Sequence, residues 1–238
     1  MSEPRTADGR PTLLLATRNP DKQHKLRWVV QGLPFSLQFP PEDKGQEPPE
    51  AGVTLMENAS AKAVWWSRSG PSLCLASDGG LVVPALGPGW DVTRTRRQPG
   101  AVHDTERIEV FLARLGWLHG PRRQAYWVES IALAESGTLL GAWQAAGPPL
   151  AIRRQPSGQR PEGGFWLDTL LADPSSGLSL AELTSAQLRV LDRAWRTVRV
   201  CVRRRLVQWQ SERGVVVPIQ RSGSDLDQPV ADESFGDR

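Results

Sequence analysis

With 238 residues the chain can bury a substantial core, as one domain or as two lobes on a shared sheet, and a single compact unit is expected. The formal charge is only +3 and is carried almost wholly by arginine, because Lys22, Lys25, Lys44 and Lys62 are the only lysines. Planar guanidinium forks suit phosphate and carboxylate partners, yet a near-neutral total disfavours a general nucleic-acid binder. Cys74 and Cys201 make neither a disulfide framework nor a zinc-ligand spacing, and both read as inert buried thiols. No apolar run approaches the roughly 20 residues that cross a bilayer. The opening MSEPRTADGR lacks an apolar signal region, so a cytoplasmic protein without membrane contact is the default expectation.

Residues 1–11 are polar and read as a loose segment. An apolar strand follows over residues 12–16, then Asn19-Pro20 supplies an N-cap and a proline at the first helical position. The helix so opened carries Lys22, Leu26, Val29 and Val30, and its first turn would present backbone N–H groups beside Thr17, Asn19 and Lys22, an anion site without the Walker pattern. Further on, Thr54 followed three residues later by Glu57 is a capping box that opens a second helix, stopped by Ser69-Gly70-Pro71. Residues 73–76 read as a short buried strand ending in a tight acidic turn, Ser77-Asp78-Gly79-Gly80. Glu57 and Asp78 are then placed to share a metal; the plainer alternatives are a Glu57 that only satisfies its own helix end and an Asp78 that only makes a turn.

Residues 104–115 form an amphipathic helix with Ile108, Phe111, Leu112 and Leu115 inward. Residues 126–134 and 138–142 are strand-like, with Ser136-Gly137 as a hairpin turn, and form a two-stranded extension of the sheet on which Trp127 and Trp143 are packing or dimer-contact residues. Residues 147–164 read as a long Pro/Gly/Arg-rich connection into the segment GGFWLDTLL. Thr184 and Gln187 make a further capping box, and Leu188, Leu191, Trp195, Val198 and Val202 give the last helix one buried face. Its other side carries Arg189, Arg193, Arg196, Arg199 and Arg203, while residues 214–238 read as a largely disordered acidic tail.

In order along the chain stand T-x-N-x-x-K (Thr17, Asn19, Lys22), E-N-A-x-x-K-A (from Glu57 to Ala63, with Lys62) and S-D-G-G-L (from Ser77 to Leu81). Together they resemble the motifs of the inosine triphosphate pyrophosphatase family, which hydrolyses non-standard purine nucleoside triphosphates to monophosphate and pyrophosphate. That family's third motif usually reads Asp-Asp-Ser-Gly-Leu, so Ser77 and Gly79 are departures and one carboxylate is missing. Phe165 and Asp168 match its Gly-Phe-Gly-Tyr-Asp-Pro segment, whereas Trp166, Leu167 and Thr169 do not. On the last helix, Leu188 stands at the family's Lys and Asp192-Arg193-Ala194 at its Ser-His-Arg triplet.

The resemblance implies an α/β fold over residues 12–213: a long twisted mixed β-sheet flanked by helices, two lobes and a nucleotide cleft between them. It also implies a homodimer and Mg²⁺. Glu57 and Asp78 would be metal ligands, with Asp78 and Lys62 catalytic and Asp78 the general base. Thr17, Asn19, Lys22 and Gly79 would bind the phosphates, Phe165 and Asp168 would frame the base, and Arg193 would read it. The departures leave open a catalytically weakened relative that binds nucleotide as a sensor or partner subunit, and more remotely a binder of phosphate backbones through the arginine-rich helix.

Overall fold

The computed structural model describes residues 9–41, 48, 51–69, 73–98, 100, 103–158 and 165–214. The tail from residue 215, Gly163 and Gly164 of the GGFWLDTLL segment, and the stop at Gly70-Pro71 lie outside them.

Seven strands form one mixed sheet: β1 (Thr12–Leu15), β2 (Ser36–Gln38), β3 (Leu73–Val82), β4 (Gln124–Glu135), β5 (Thr138–Ala146), β6 (Leu150–Ile152) and β7 (Leu171–Ala172). Their order is β2-β1-β3-β4-β6-β7, and β5 pairs with β4. The β1–β2 and β1–β3 pairs are parallel, and the remainder are antiparallel. The helices are α1 (Pro20–Val30), α2 (Leu55–Ser69), α3 (Asp104–Arg114), α4 (Ser185–Leu191) and α5 (Arg193–Glu212). Among the described residues no helix is long and apolar enough to cross a membrane.

The period-2 alternation of the strands sorts the core by side-chain size. Leu13 and Leu15 of β1, Leu73 and Leu75 of β3, and Ile131 and Leu133 of β4 face α1 and α5, where Leu26, Val29, Trp195, Val198 and Val202 complete a bulky layer. Ala16, Cys74, Ala76, Ala132 and Ala134 alternate with these and face Ala59 and Ala63 of α2. Small residues on both sides let α2 lie close against that face, and burial pushes the Cys74 thiol far up, out of the reactive range. A separate core beneath Leu81 and Val83, with Phe111, Leu115, Trp166, Leu170 and Leu171, makes the second lobe. Buried Arg123 ties that lobe together by donating to the carbonyls of Leu115 (2.6 Å), Ile152 (3.0 Å) and Arg153 (2.8 Å).

Four expectations need correction. The Ser77-Asp78-Gly79-Gly80 stretch is not a turn: β3 runs through it to Val82, because Ile131, Ser130, Glu129 and Val128 of β4 oppose it residue for residue. The glycines admit close neighbours instead, the Glu129 carboxylate at Gly79 and the Val92 carbonyl at Gly80. The hairpin over Ser136 (φ 47°) and Gly137 (φ 82°) forms as read, but β4 is an interior strand rather than part of an extension. The connection 147–164 contains β6. Finally, the last helix breaks at Asp192 (ψ 35°) into α4 and α5; on its arginine-bearing side Arg199 lies 4.3 Å from the Trp28 ring centroid and Arg203 donates to the Gln31 carbonyl.

Candidate active site

β1 and β3 run parallel, and β1 ends first, with Ala16 N–H donating to the Leu75 carbonyl at 2.8 Å. Further along β3, the loop after Val83 docks against Leu81: Trp90 Nε1 donates to its carbonyl at 2.6 Å, and Thr95 Oγ1 accepts its N–H at 2.9 Å. Between these two anchorages, Ala76 to Gly80 border a gap beyond the carboxyl end of β1, the position at which open α/β sheets receive ligands.

The loop that leaves β1 crosses this gap. Thr17 Oγ1 accepts the Asn19 N–H at 3.2 Å, and Asn19 Oδ1 accepts those of Asp21 (2.9 Å) and Lys22 (3.3 Å). Asn19 thus caps α1 as read, and by doing so it uses the first-turn N–H groups that were expected to meet an anion; Pro20 has none to offer. What α1 presents to the gap is its positive end and its lysines. Lys22 Nζ lies 3.8 Å from Asp78 Oδ1, and Lys62 Nζ, reaching across from α2, lies 3.4 Å from the same oxygen. Lys25 pairs with Asp192 at the α4–α5 break, and burial pulls its ammonium down to about 8, against the opposing pull of Glu129 and Asp21. Three of the four lysines in the chain therefore converge on one place.

Glu57 stands exposed at the N-terminus of α2, where its Oε2 accepts the N–H groups of Val53 (2.8 Å) and Thr54 (3.0 Å). Thr54 Oγ1 accepts the Glu57 N–H at 3.1 Å, so the capping box is complete. Beside it, buried Asn58 holds the Gly52 N–H at 2.9 Å and fixes the preceding loop. A groove of about 810 Å³ opens on this face of the sheet, between Thr54 and Leu55 on one wall and Trp90 and Asp91 on the other, with Val128 and Gln144 in its floor.

On the opposite, leucine-bearing face lie residues that the sequence reading missed. Glu129 pairs with Gly79, next to the Asp78–Ser130 pair, and its Oε2 is buried with no hydrogen-bond partner. Burial raises its carboxyl to about 7 despite the favourable charges of Lys22 and Lys25 and a contact with the Trp195 indole, and Asp78 adds to the rise. Two residues earlier on β4, the Trp127 ring packs at 5.9 Å from that of Phe165, and the Arg96 guanidinium sits 5.8 Å from the centroid of Phe165. Asp168 accepts the Phe165 N–H at 3.0 Å through Oδ2 and so holds the aromatic residue in its loop. Trp166 is core, packed edge-on against Phe111. Arg193 is exposed at the start of α5. The sequence reading leaves Glu129 and Lys25 outside the site and meets Asp192 only as a departure from the triplet, although the alternation Glu129-x-Ile131-x-Leu133 already puts a carboxylate on a core face.

Among the described residues no three metal-ligating side chains gather in one group. Magnesium does not need such a cage, since it keeps waters and binds through one or two carboxylates plus substrate phosphates; Glu57 and Asp78 are hard oxygen donors of that kind. A lysine-flanked carboxylate on β3 beyond the carboxyl end of parallel β1, with a second carboxylate and an aromatic pair on neighbouring β4, suits an α/β protein that handles a phosphorylated aromatic ligand.

Comparison with known proteins agrees: the Ham1 family model matches residues 13–194, and the chain belongs to that family. The dITP/XTP pyrophosphatase of one Thermus thermophilus strain is 32% identical over 171 residues, covering 72% of this chain and 80% of that protein. Its counterpart from Anaeromyxobacter dehalogenans is 33% identical over 200 residues, covering 71% and 83%. Among solved structures, a HAM1 protein from Coxiella burnetii superposes with a TM-score of 0.68 at 25% identity, over 81% of this chain and 98% of that one. A nucleoside-triphosphatase / dITP/XTP pyrophosphatase from Mycobacterium abscessus gives 0.63 at 26% identity, over 80% and 97%.

Proposed function

We propose that the protein hydrolyses non-standard purine nucleoside triphosphates of the ITP, dITP and XTP type to the monophosphate and pyrophosphate, and so cleans the nucleotide pool. The observation that carries this reading is the convergence of Lys22, Lys25 and Lys62 on the carboxylates of Asp78, Glu129 and Asp192 in a chain of this family. Lys22 and Lys62 exchange Asp78 for phosphate oxygens when substrate enters, and they offset its charge. Thr17 and Asn19 orient the triphosphate with the hydroxyl and amide donors that capping leaves them, whereas Gly79, expected at the phosphates, makes room for the Glu129 carboxylate. Glu57 and Asp78 would hold a magnesium ion, which when bound neutralises phosphate charge and polarises the α-phosphorus. Phe165 stacks on the base, Asp168 keeps Phe165 in place, and Arg96, beside the Phe165 ring, joins Arg193 as a cation for reading the base. A homodimer belongs to the same proposal, and sedimentation equilibrium tests it.

The test is pyrophosphate release with Mg²⁺ across standard and deaminated nucleoside triphosphates, ribo and deoxy, with Asp78→Asn as control. Release from ITP, dITP or XTP that is absent in the variant supports the reading. Silence across the panel from folded protein that still gains thermal stability with nucleotide and Mg²⁺ favours a nucleotide-binding sensor or partner subunit instead.

A further inference from the structure

Glu129 belongs to the charged cluster but carries no step of the reaction in the assignments above. On β4 it shares the leucine-bearing face with Trp127, two residues away, and so lies roughly 7 Å along the strand from the aromatic pair. Its Oε2 is buried and unpartnered, a costly state for a carboxylate without a task. Gly79 makes room for it: a Cβ there would lie 2.6 Å from Glu129 Cδ and closer still to Oε2. Ser77, on the same face of β3, carries a hydroxyl that is likewise buried and unpartnered. Position 77, where the resembled motif has its first Asp, and position 129 are diagonal neighbours across β3 and β4, within reach of one small group.

We infer that Glu129 stands in for the carboxylate missing at position 77 and accepts the proton of the water that attacks the α-phosphorus, the role that the resemblance implied for Asp78. The inference rests on the pyrophosphatase reading. The water oxygen bonds to the α-phosphorus, and the bond from that phosphorus to the oxygen bridging toward the β-phosphorus breaks. Pyrophosphate departs with the electron pair, and the water's proton passes to the Glu129 carboxylate, which later yields it to solvent. The α-phosphate is the one nearest the nucleoside, and Glu129 is the acidic residue of β4 next to the aromatic pair. Asp78 points to the other face, paired with Lys22 and Lys62, and is left to the metal. Lys22 and Lys25 favour the charged form of Glu129 between turnovers, while burial keeps it a better base than an exposed carboxylate.

Glu129→Gln keeps the shape and removes the proton acceptor. Its kcat on ITP should fall at least ~100-fold, with KM within about threefold of wild type. The thermal shift given by Mg²⁺ with α,β-methylene ITP should be unchanged. Adding Ser77→Asp returns a carboxylate to the same face and should recover at least tenfold of the lost kcat. A Glu129→Gln enzyme within about threefold of wild-type kcat overturns the inference and leaves the pyrophosphatase reading intact. Loss of the analogue's thermal shift overturns it in favour of a substrate-binding role. A double variant no faster than Glu129→Gln overturns the equivalence with position 77. A wild-type protein that hydrolyses no triphosphate takes down the reading and the inference together.

Discussion

Replacing Glu129 by Gln should stabilise the fold, and increasingly so as pH rises. The folded protein holds this carboxyl at about 7, against an ordinary value of 4.5, mainly by burial. Between those limits the folded state binds a proton that the unfolded chain has released, so this group's contribution to stability is fully present below about 4.5 and is lost as pH rises through about 7. A displacement of that size corresponds to about 3 kcal/mol at most. The favourable charges of Lys22 and Lys25 are already contained in that displacement, and between pH 5 and pH 8 the expected gain is about 1–3 kcal/mol. Other titrating groups are common to both proteins and largely cancel in the difference. Urea denaturation of wild type and Glu129→Gln at pH 5 and pH 8 measures it, and the stability difference should widen by that amount at pH 8 in favour of Gln. Thermal melts should show a gap wider by roughly 3–10 °C. A difference that stays the same at both pH values, or that favours Glu at pH 8, would refute the placement of a desolvated carboxylate beside Gly79.

Gly79→Ala perturbs the same group from the other strand. Only the end of the Glu129 side chain must yield, and an alanine in this strand recovers ~0.4–1 kcal/mol of unfolded-chain entropy, so stability should hold within about 1 kcal/mol. Pyrophosphate release should nevertheless fall on the order of 100-fold through misplacement of the carboxylate; unimpaired turnover would contradict the coupling of the two residues. Asp78→Asn should abolish turnover while urea denaturation shows a folded protein, and residual activity above about 1% would remove Asp78 from the site. Arg123→Ala leaves three carbonyls without their donor and should cost about 3 kcal/mol or more in urea denaturation, with Lys recovering little because one ammonium cannot replace the fork. A loss under about 1 kcal/mol would show that water serves those carbonyls as well.

Features written in local chemistry were legible in the chain. Asn19-Pro20, the Thr54/Glu57 and Thr184/Gln187 boxes and the Ser136-Gly137 turn each satisfy backbone groups within a few residues, and each forms as read. The three ordered motifs gave the family and the mixed α/β sheet. Features that depend on a distant partner were not legible. Asp78-Gly79-Gly80 has the composition of a turn, and only the opposing run of β4 makes it strand. β2, β6 and β7, of three residues or fewer, are too short to show a period. The helix break at Asp192 carries neither Gly nor Pro; there Asp192 turns to Lys25, far away in sequence. Glu129 looked like an ordinary polar position in a strand, and its environment comes from three elements that pack around it: α1, β3 and α5.

The central claim is cleavage between the α- and β-phosphates, and ³¹P NMR of ITP incubated with the protein and Mg²⁺ tests it most directly. The account predicts that the triphosphate signals give way to those of IMP and pyrophosphate alone. Appearance of IDP and orthophosphate would contradict it, since the attack would then fall on the γ-phosphorus, away from Glu129 and the aromatic pair.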